Sequence, residues 1–409
     1  MLRRAVATAA SLVVVLSGLT ACGGGDEPDP EPSPTAAFDP EALDLGRIEP
    51  TGTDLSTALT GTSSRLVAAY TLAANLVLPQ DLRSDLTKYG IESGTLVDPN
   101  DYEYMLGDAA PAMAGAETGY LTRRTDQDAD AWITTSIVQF PDEAAAQNAV
   151  QTAAASMAAP DVEFGVDLVV EPYPADEAAV TLVTNTPDVA NQIYVLRAYG
   201  SFLTYAWVYD INGTMDDVRE HADEFLADQE VALEDAERVT ISEAPRLRDL
   251  DPTGIWGLTL APDARGSLSE TAYTAGSHAA ETRQINVDGV SRAFTKAGVS
   301  RVASNLTSIY VAENAEGAKS LVEAFLEQAT GLGMVEAESP QGLDEASCLA
   351  NEDEENPDLT FWPAFLCFYP YGAYLLESSG VSLEEAQQRL SAQAVLVYEA
   401  QRDQKRSSG

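Results

Sequence analysis

Histidine is almost absent: His221 and His278 are the only two in the chain. Neither has a cysteine or second histidine at a zinc-ligand spacing. Both fall in polar segments that read as helix surface. No Gly-x-Ser-x-Gly elbow occurs to support a Ser-His-Asp site. Cysteine is nearly as scarce, with Cys22, Cys348 and Cys367. None forms a Cys-x-x-Cys pair, so thiol redox chemistry lacks its usual motif. Basic residues are few, 23 Lys and Arg against 65 Asp and Glu, for a formal net charge of −42. Such a surface repels phosphate backbones, which argues against a nucleic-acid partner. Phosphate-binding glycine loops are missing too; Gly331 and Gly333 follow a helical pattern and read as a cap and turn. Asp126, Asp128 and Asp130 open like a calcium loop. Yet Ala131 stands where that loop needs glycine, and Ile137 where it needs glutamate. Neither a metal nor a cofactor is expected.

Long apolar runs are also lacking, with one exception. Arg3 and Arg4 precede an apolar stretch from Ala5 to Leu19, shorter than the roughly 20 residues of a membrane-spanning helix. A positive start, a short apolar run and small residues at its exit are the parts of a secretory signal. The exit, Leu19-Thr20-Ala21-Cys22, resembles a bacterial lipobox. That resemblance implies cleavage before Cys22 and attachment of diacylglycerol to its thiol. A plain secretory signal with a chance cysteine is the alternative. The following GGGDEPDPEPSPTAA combines flexible Gly with extended Pro and has too little apolar content to fold. Residues 1–21 are thus expected to be a signal, 22–37 the lipidated cysteine and a tether, and the folded body to begin near Phe38. The expected location is the extracytoplasmic face of the cell membrane, held there by covalent lipid at Cys22.

The body carries an internal repeat. AWITTSIVQFPDEAAAQNAV begins at Ala131 and ASNLTSIYVAENAEGAKSLV at Ala303, an offset of 172. Tyr199-Gly200 and Tyr371-Gly372 share the same offset, each between two strand-like runs. Both copies read as strand, helix, strand pair and helix, with another strand near Ala179–Thr184. Thr214 and Ser382 are expected to cap the closing helices. Upstream, Ser64–Leu78 reads as a helix ended by Pro79. These orders predict an α+β fold of two repeated units, each a small, mostly antiparallel sheet with helices on one face, ferredoxin-like or related. The units are placed at 38–240, with an N-terminal helical extension, and 241–409.

With Cys22 assigned to lipid, Cys348 and Cys367 are left to pair across an acidic loop in an oxidising compartment. Two separately buried thiols are the alternative. Aromatic residues concentrate beside the Tyr-Gly turns. Tyr199, Phe202, Tyr205, Trp207, Trp362, Tyr371 and Tyr374 are candidates for core, ligand or interface positions.

The lipobox, the LDLGRIEP lead-in, VLPQDL, FPDEAAAQNA, the two later cysteines and Ala392-Gln393-Ala394 together resemble an uncharacterised actinobacterial lipoprotein family. The resemblance implies an exported, membrane-anchored protein and supplies no catalytic residues. A non-catalytic envelope protein binding a small apolar ligand or an envelope protein is expected. The competing reading is an envelope hydrolase with paired carboxylates, which requires two acids converging in a cleft.

Overall fold

The computed structural model describes residues 38–409, apart from 58, 60, 90–93, 159–167, 173–178, 185–190, 240, 242–245, 270–271, 285–286, 288, 353–361 and 409. The signal, Cys22 and the tether therefore lie outside the described residues. In the first half the chain runs through α1 (Thr62–Ala73), α2 (Pro79–Leu82), β1 (Lys88–Tyr89), β2 (Gly94–Leu96) and α3 (Glu103–Leu106). It continues as β3 (Thr118–Thr125), β4 (Ala131–Gln139), α4 (Glu143–Met157), β5 (Leu168–Pro172), β6 (Ala179–Thr184), β7 (Asn191–Tyr199), β8 (Phe202–Asp210) and α5 (Met215–Leu233). The second half opens with α6 (Leu247–Leu250), β9 (Tyr273–Gly276), α7 (Ser277–Glu281), α8 (Val290–Ala297), β10 (Arg301–Ser304) and β11 (Thr307–Val311). Then come α9 (Ala315–Gly331), β12 (Val335–Ala337), β13 (Ser347–Ala350), β14 (Phe365–Tyr371), β15 (Tyr374–Gly380) and α10 (Leu383–Ser408).

The strands form two separate sheets with one topology. The first has the order β1-β3-β4-β8-β7-β6-β5, with β2 also paired to β3; the second has β9-β10-β11-β15-β14-β13-β12. Every described pairing is antiparallel. Each unit is thus a hairpin, a helix, a meander returning beside the hairpin, and a closing helix. The α+β class and the repeat expected from the sequence are present. Local chemistry repeats as well. Asp142 caps α4 by accepting from Ala145 N at 2.8 Å, and Asn314 caps α9 by accepting from Gly317 N at 3.0 Å. Gly200 and Gly372 hold φ of 53° and 58° in the matching turns, a region that glycine enters without steric cost.

The helices do not share one face, which corrects that part of the expectation. In the first unit α4 packs with Tyr194, Leu196, Leu203 and Tyr205, whereas α5 packs with Ile193, Val195, Ala206 and Val208. In the second, α9 lies over Leu366, Phe368 and Leu375, and α10 over Cys367, Tyr369 and Leu376. Neighbours along a strand point to opposite faces, so each sheet is covered on both. The sign was present in QIYVL, where Gln192–Leu196 are buried without interruption. Unbroken apolar runs mark strands buried on two sides.

Helix α1 joins the halves by packing against both β3 and β9. It ends at Ala73, earlier than its periodicity suggests. Pro79 disfavours helical backbone at the preceding residue. Gln229 then holds the extended segment, accepting from Val77 N at 3.0 Å and donating to Asn75 O at 2.6 Å. The Tyr70 ring lies 5.4 Å from Tyr120 and 5.2 Å from Tyr273, one from each sheet. Buried Arg124 donates to the carbonyls of Gln284, Glu281 and Thr282 at 2.7, 2.9 and 3.2 Å. His278 is part of this junction rather than free helix surface: its Nε2 sits 2.9 Å from Leu76 O. The chain enters the body on the other side of the second sheet, where Phe38 packs among Tyr369, Tyr371 and Tyr398 on the α10 face.

Candidate ligand-binding cleft

The α9 face of the second sheet is not filled along its whole length. Beyond Phe325 a cleft of about 450 Å³ opens, floored by β11 and β15 and walled by Tyr273, Arg283, Gln328 and Trp362. Glu377 stands on its floor, opposite Ser308 on β11 and Phe368 on β14. Tyr310 donates its hydroxyl to Glu377 Oε2 at 2.8 Å. Burial pushes the Glu377 carboxyl up to about 7, and this hydrogen bond opposes the rise only in part. Burial also raises the Tyr310 hydroxyl well above its ordinary range, so it remains a donor at neutral pH. A carboxyl poised there changes charge in the physiological range. Ser308 Oγ and Ser304 Oγ, 3.1 Å apart, add hydroxyls to the floor.

The corresponding place in the first repeat is filled. Ser136, Tyr205 and Leu196 form a cross-strand row there. At the same offset the second repeat has Ser308, Glu377 and Phe368. The next row pairs Trp207 with Tyr194 in the first repeat and Ser379 with Leu366 in the second. Thus Tyr, Trp and Tyr give way to Glu, Ser and Leu. In the first repeat the rings pack against one another, Tyr194 and Trp207 at 5.1 Å and Tyr194 and Tyr205 at 6.5 Å. The Arg123 guanidinium lies 4.8 Å over Trp207. Smaller side chains on the same scaffold leave the space that forms the cleft.

Of the seven aromatic candidates, Trp362 lines this cleft. Its indole N–H is buried without an acceptor among the described residues. Tyr205 and Phe202 are core residues; the Tyr205 hydroxyl has no partner among the described residues. Trp207 donates its indole N–H to Gln192 Oε1 at 3.0 Å. Tyr199 donates to Leu226 O at 3.0 Å. Tyr371 and Tyr374 pack around the α10 cluster. Sequence reasoning missed Glu377, Tyr310, Tyr273 and Arg283. The available signal was alignment: Glu377 stands where the first repeat has a buried tyrosine.

Cys348 and Cys367 form a disulfide. They are register partners on β13 and β14, with Cα atoms 4.1 Å apart, on the face opposite the cleft. The bond closes the acidic segment whose residues 353–361 lie outside the described set. The Asp126–Asp130 turn closes on itself, Asp126 Oδ1 accepting from Asp130 N at 2.9 Å. Among the described residues no group of three His, Cys, Asp or Glu could hold a metal. No described helix is long and apolar enough to cross a membrane.

The sequence is similar to known proteins in few respects. No curated protein matches it. Among solved structures it matches the extracellular domain of PknH from Mycobacterium tuberculosis at 14% identity and a TM-score of 0.26, over 42% of this chain and 100% of that one. Residues 55–249 match the N-terminal domain of DUF7373, described as a domain of unknown function, and residues 262–400 match its C-terminal domain. Matched along both halves, the chain belongs to the DUF7373 family.

Proposed function

We propose that this protein is a lipid-anchored binding protein of the actinobacterial cell envelope, non-catalytic, which holds a small ligand in the cleft around Glu377. The carrying observation is that cleft. Two copies of one scaffold differ at this region, where the second exchanges packed rings for a hollow with a titratable carboxyl. Unfilled space sacrifices packing energy, so a hollow at a position the scaffold can fill is better explained by an occupant. Hydroxyls, amides and one acid in the lining favour a ligand with a polar or charged group over a purely apolar one. A paired-carboxylate hydrolase needs a second acid facing the first, and among the described lining residues Glu377 stands alone.

The anchor is supported by Leu19–Cys22 and the Pro-rich tether. Phe38 marks the entry to the body on the α10 face, whereas the cleft belongs to the α9 face. Two measurements on protein from a lipoprotein-processing bacterial host test the proposal. Intact mass should show a diacylglyceryl adduct on a chain starting at Cys22; a Cys22→Ala variant that stays membrane-bound would refute the anchor. Native mass spectrometry should show a non-covalent small-molecule adduct. A chain with no adduct, and no stabilisation by any compound in a broad thermal-shift screen, would refute binding.

A further inference from the structure

The cleft combines three features that bear on what it takes. First, it is ringed by aromatic residues: Tyr273, Tyr310, Phe325 and Trp362 all contribute to its lining. Tyr310 and Phe325 meet edge to face at 5.4 Å. Second, its carboxyl has hydrogen-bond support but no cationic support. Burial and the Tyr310 hydroxyl govern the Glu377 proton, and no described cation contributes. Arg283, the guanidinium in the lining, lies 5.8 Å from the Tyr273 ring and acts on that side of the cleft. Third, the whole chain carries a net charge of −42, a field that concentrates cations at its surface.

Aromatic faces are electronegative, and a weakly hydrated cation gains most from them where water is excluded. A carboxylate on the same cleft floor adds a full counter-charge. We propose that the cleft binds an organic ammonium group, with Glu377 as counter-charge and the four rings as walls. This rests on reading the cleft as a ligand site and names the class of ligand. The first repeat supports it by analogy. There the Arg123 guanidinium already lies against Trp207 and Trp132, at 4.8 and 5.8 Å. A cation against an aromatic ring is thus chemistry both copies already use, Arg283 lying against Tyr273 in the second.

A pH dependence follows. Among the described residues, the titratable or charged groups facing Glu377 are Tyr310 from β11, Tyr273 from β9 and Arg283 from the segment after α7; α9 contributes the uncharged Gln328. Arg292, Lys296 and Glu327 line the neighbouring groove beyond Phe325. Of the described groups in the cleft, Glu377 is the one held near neutrality. Protonation removes the counter-charge, so affinity for a cation weakens as pH falls through that range.

The test is calorimetric titration of the full mature chain with choline and with its neutral isostere 3,3-dimethylbutan-1-ol, at pH 8 and pH 5.5. Choline should bind at least about tenfold more tightly than the isostere at pH 8, and about tenfold more weakly at pH 5.5 than at pH 8. Glu377→Gln, checked for folding by near-ultraviolet circular dichroism, should lose both the preference and the pH dependence. Ser379→Trp, which restores the residue of the first repeat, should lose both ligands. Equal binding of the two compounds, unchanged choline binding in Glu377→Gln, or binding of neither overturns the inference. If it falls while the native adduct persists in the wild type and disappears in Ser379→Trp, the cleft still binds a ligand of another class. Where no adduct exists either, the binding reading falls with it.

Discussion

At the scale of the residue, Glu377 dominates the account. Its carboxyl titrates near 7 in the folded chain against 4.5 for an ordinary glutamate, because burial disfavours the charge. Between these values the folded protein keeps a proton that the unfolded chain releases. Stability from this group is therefore present in acid and declines as pH rises through the window, by at most about 3 kcal/mol. Urea unfolding at pH 5 and pH 8 should show Glu377→Gln gaining on the wild type at the higher pH; parallel pH slopes for the two proteins would contradict this. Tyr310→Phe removes the hydrogen bond that opposes the rise, so the carboxyl should titrate higher still, as read by carboxyl carbon NMR. None of this was legible in composition, since Glu377 is one of 65 acidic residues. What distinguishes it is register, opposite Ser308 on one strand and Phe368 on another. Register is a property of pairing between distant segments, and a single sequence displays it only through the repeat.

At the scale of the element, the repeat was the readable part. Caps, turns and closing helices obey local rules, so Thr214 and Ser382 announce helix starts that the structure contains. Helix placement was less legible. Small, apolar α4 and the unbroken burial of Gln192–Leu196 both indicate a sheet covered on two faces. Element order alone does not say on which face each helix lies. The two matching turns provide a paired test. Gly200 and Gly372 both have positive φ, and a Cβ at either would meet nothing within 4 Å. Ala at each position should then cost only the backbone strain, about 1 kcal/mol in both repeats. Markedly unequal costs in chemical denaturation would mean that the turns are not equivalent. The disulfide is the other element-scale device. It joins β13 to β14 across 19 positions of sequence, and replacing both cysteines by Ala should cost about 3 kcal/mol. No loss of stability would contradict its structural role.

At the scale of the whole molecule, the halves share a core. Tyr120, Ile137 and Phe202 of the first sheet cluster with Tyr273, Val302 and Tyr310 of the second, and Arg124 spans the junction through three backbone carbonyls. Unfolding followed by tryptophan fluorescence and by far-ultraviolet circular dichroism should give one coincident transition. Two separate transitions would mean that the halves are independent. On this shared frame the copies differ at the cleft, where the first is packed and the second hollow. The most direct measurement exchanges them. Native mass spectrometry should be run on the wild type and on a Glu377→Tyr/Ser379→Trp variant, which carries the residues of the first repeat at the matching positions. The wild type should carry a small-molecule adduct that the variant lacks, with the variant still folded. An adduct retained equally by both, or found on neither, would contradict the assignment of the cleft as the binding site.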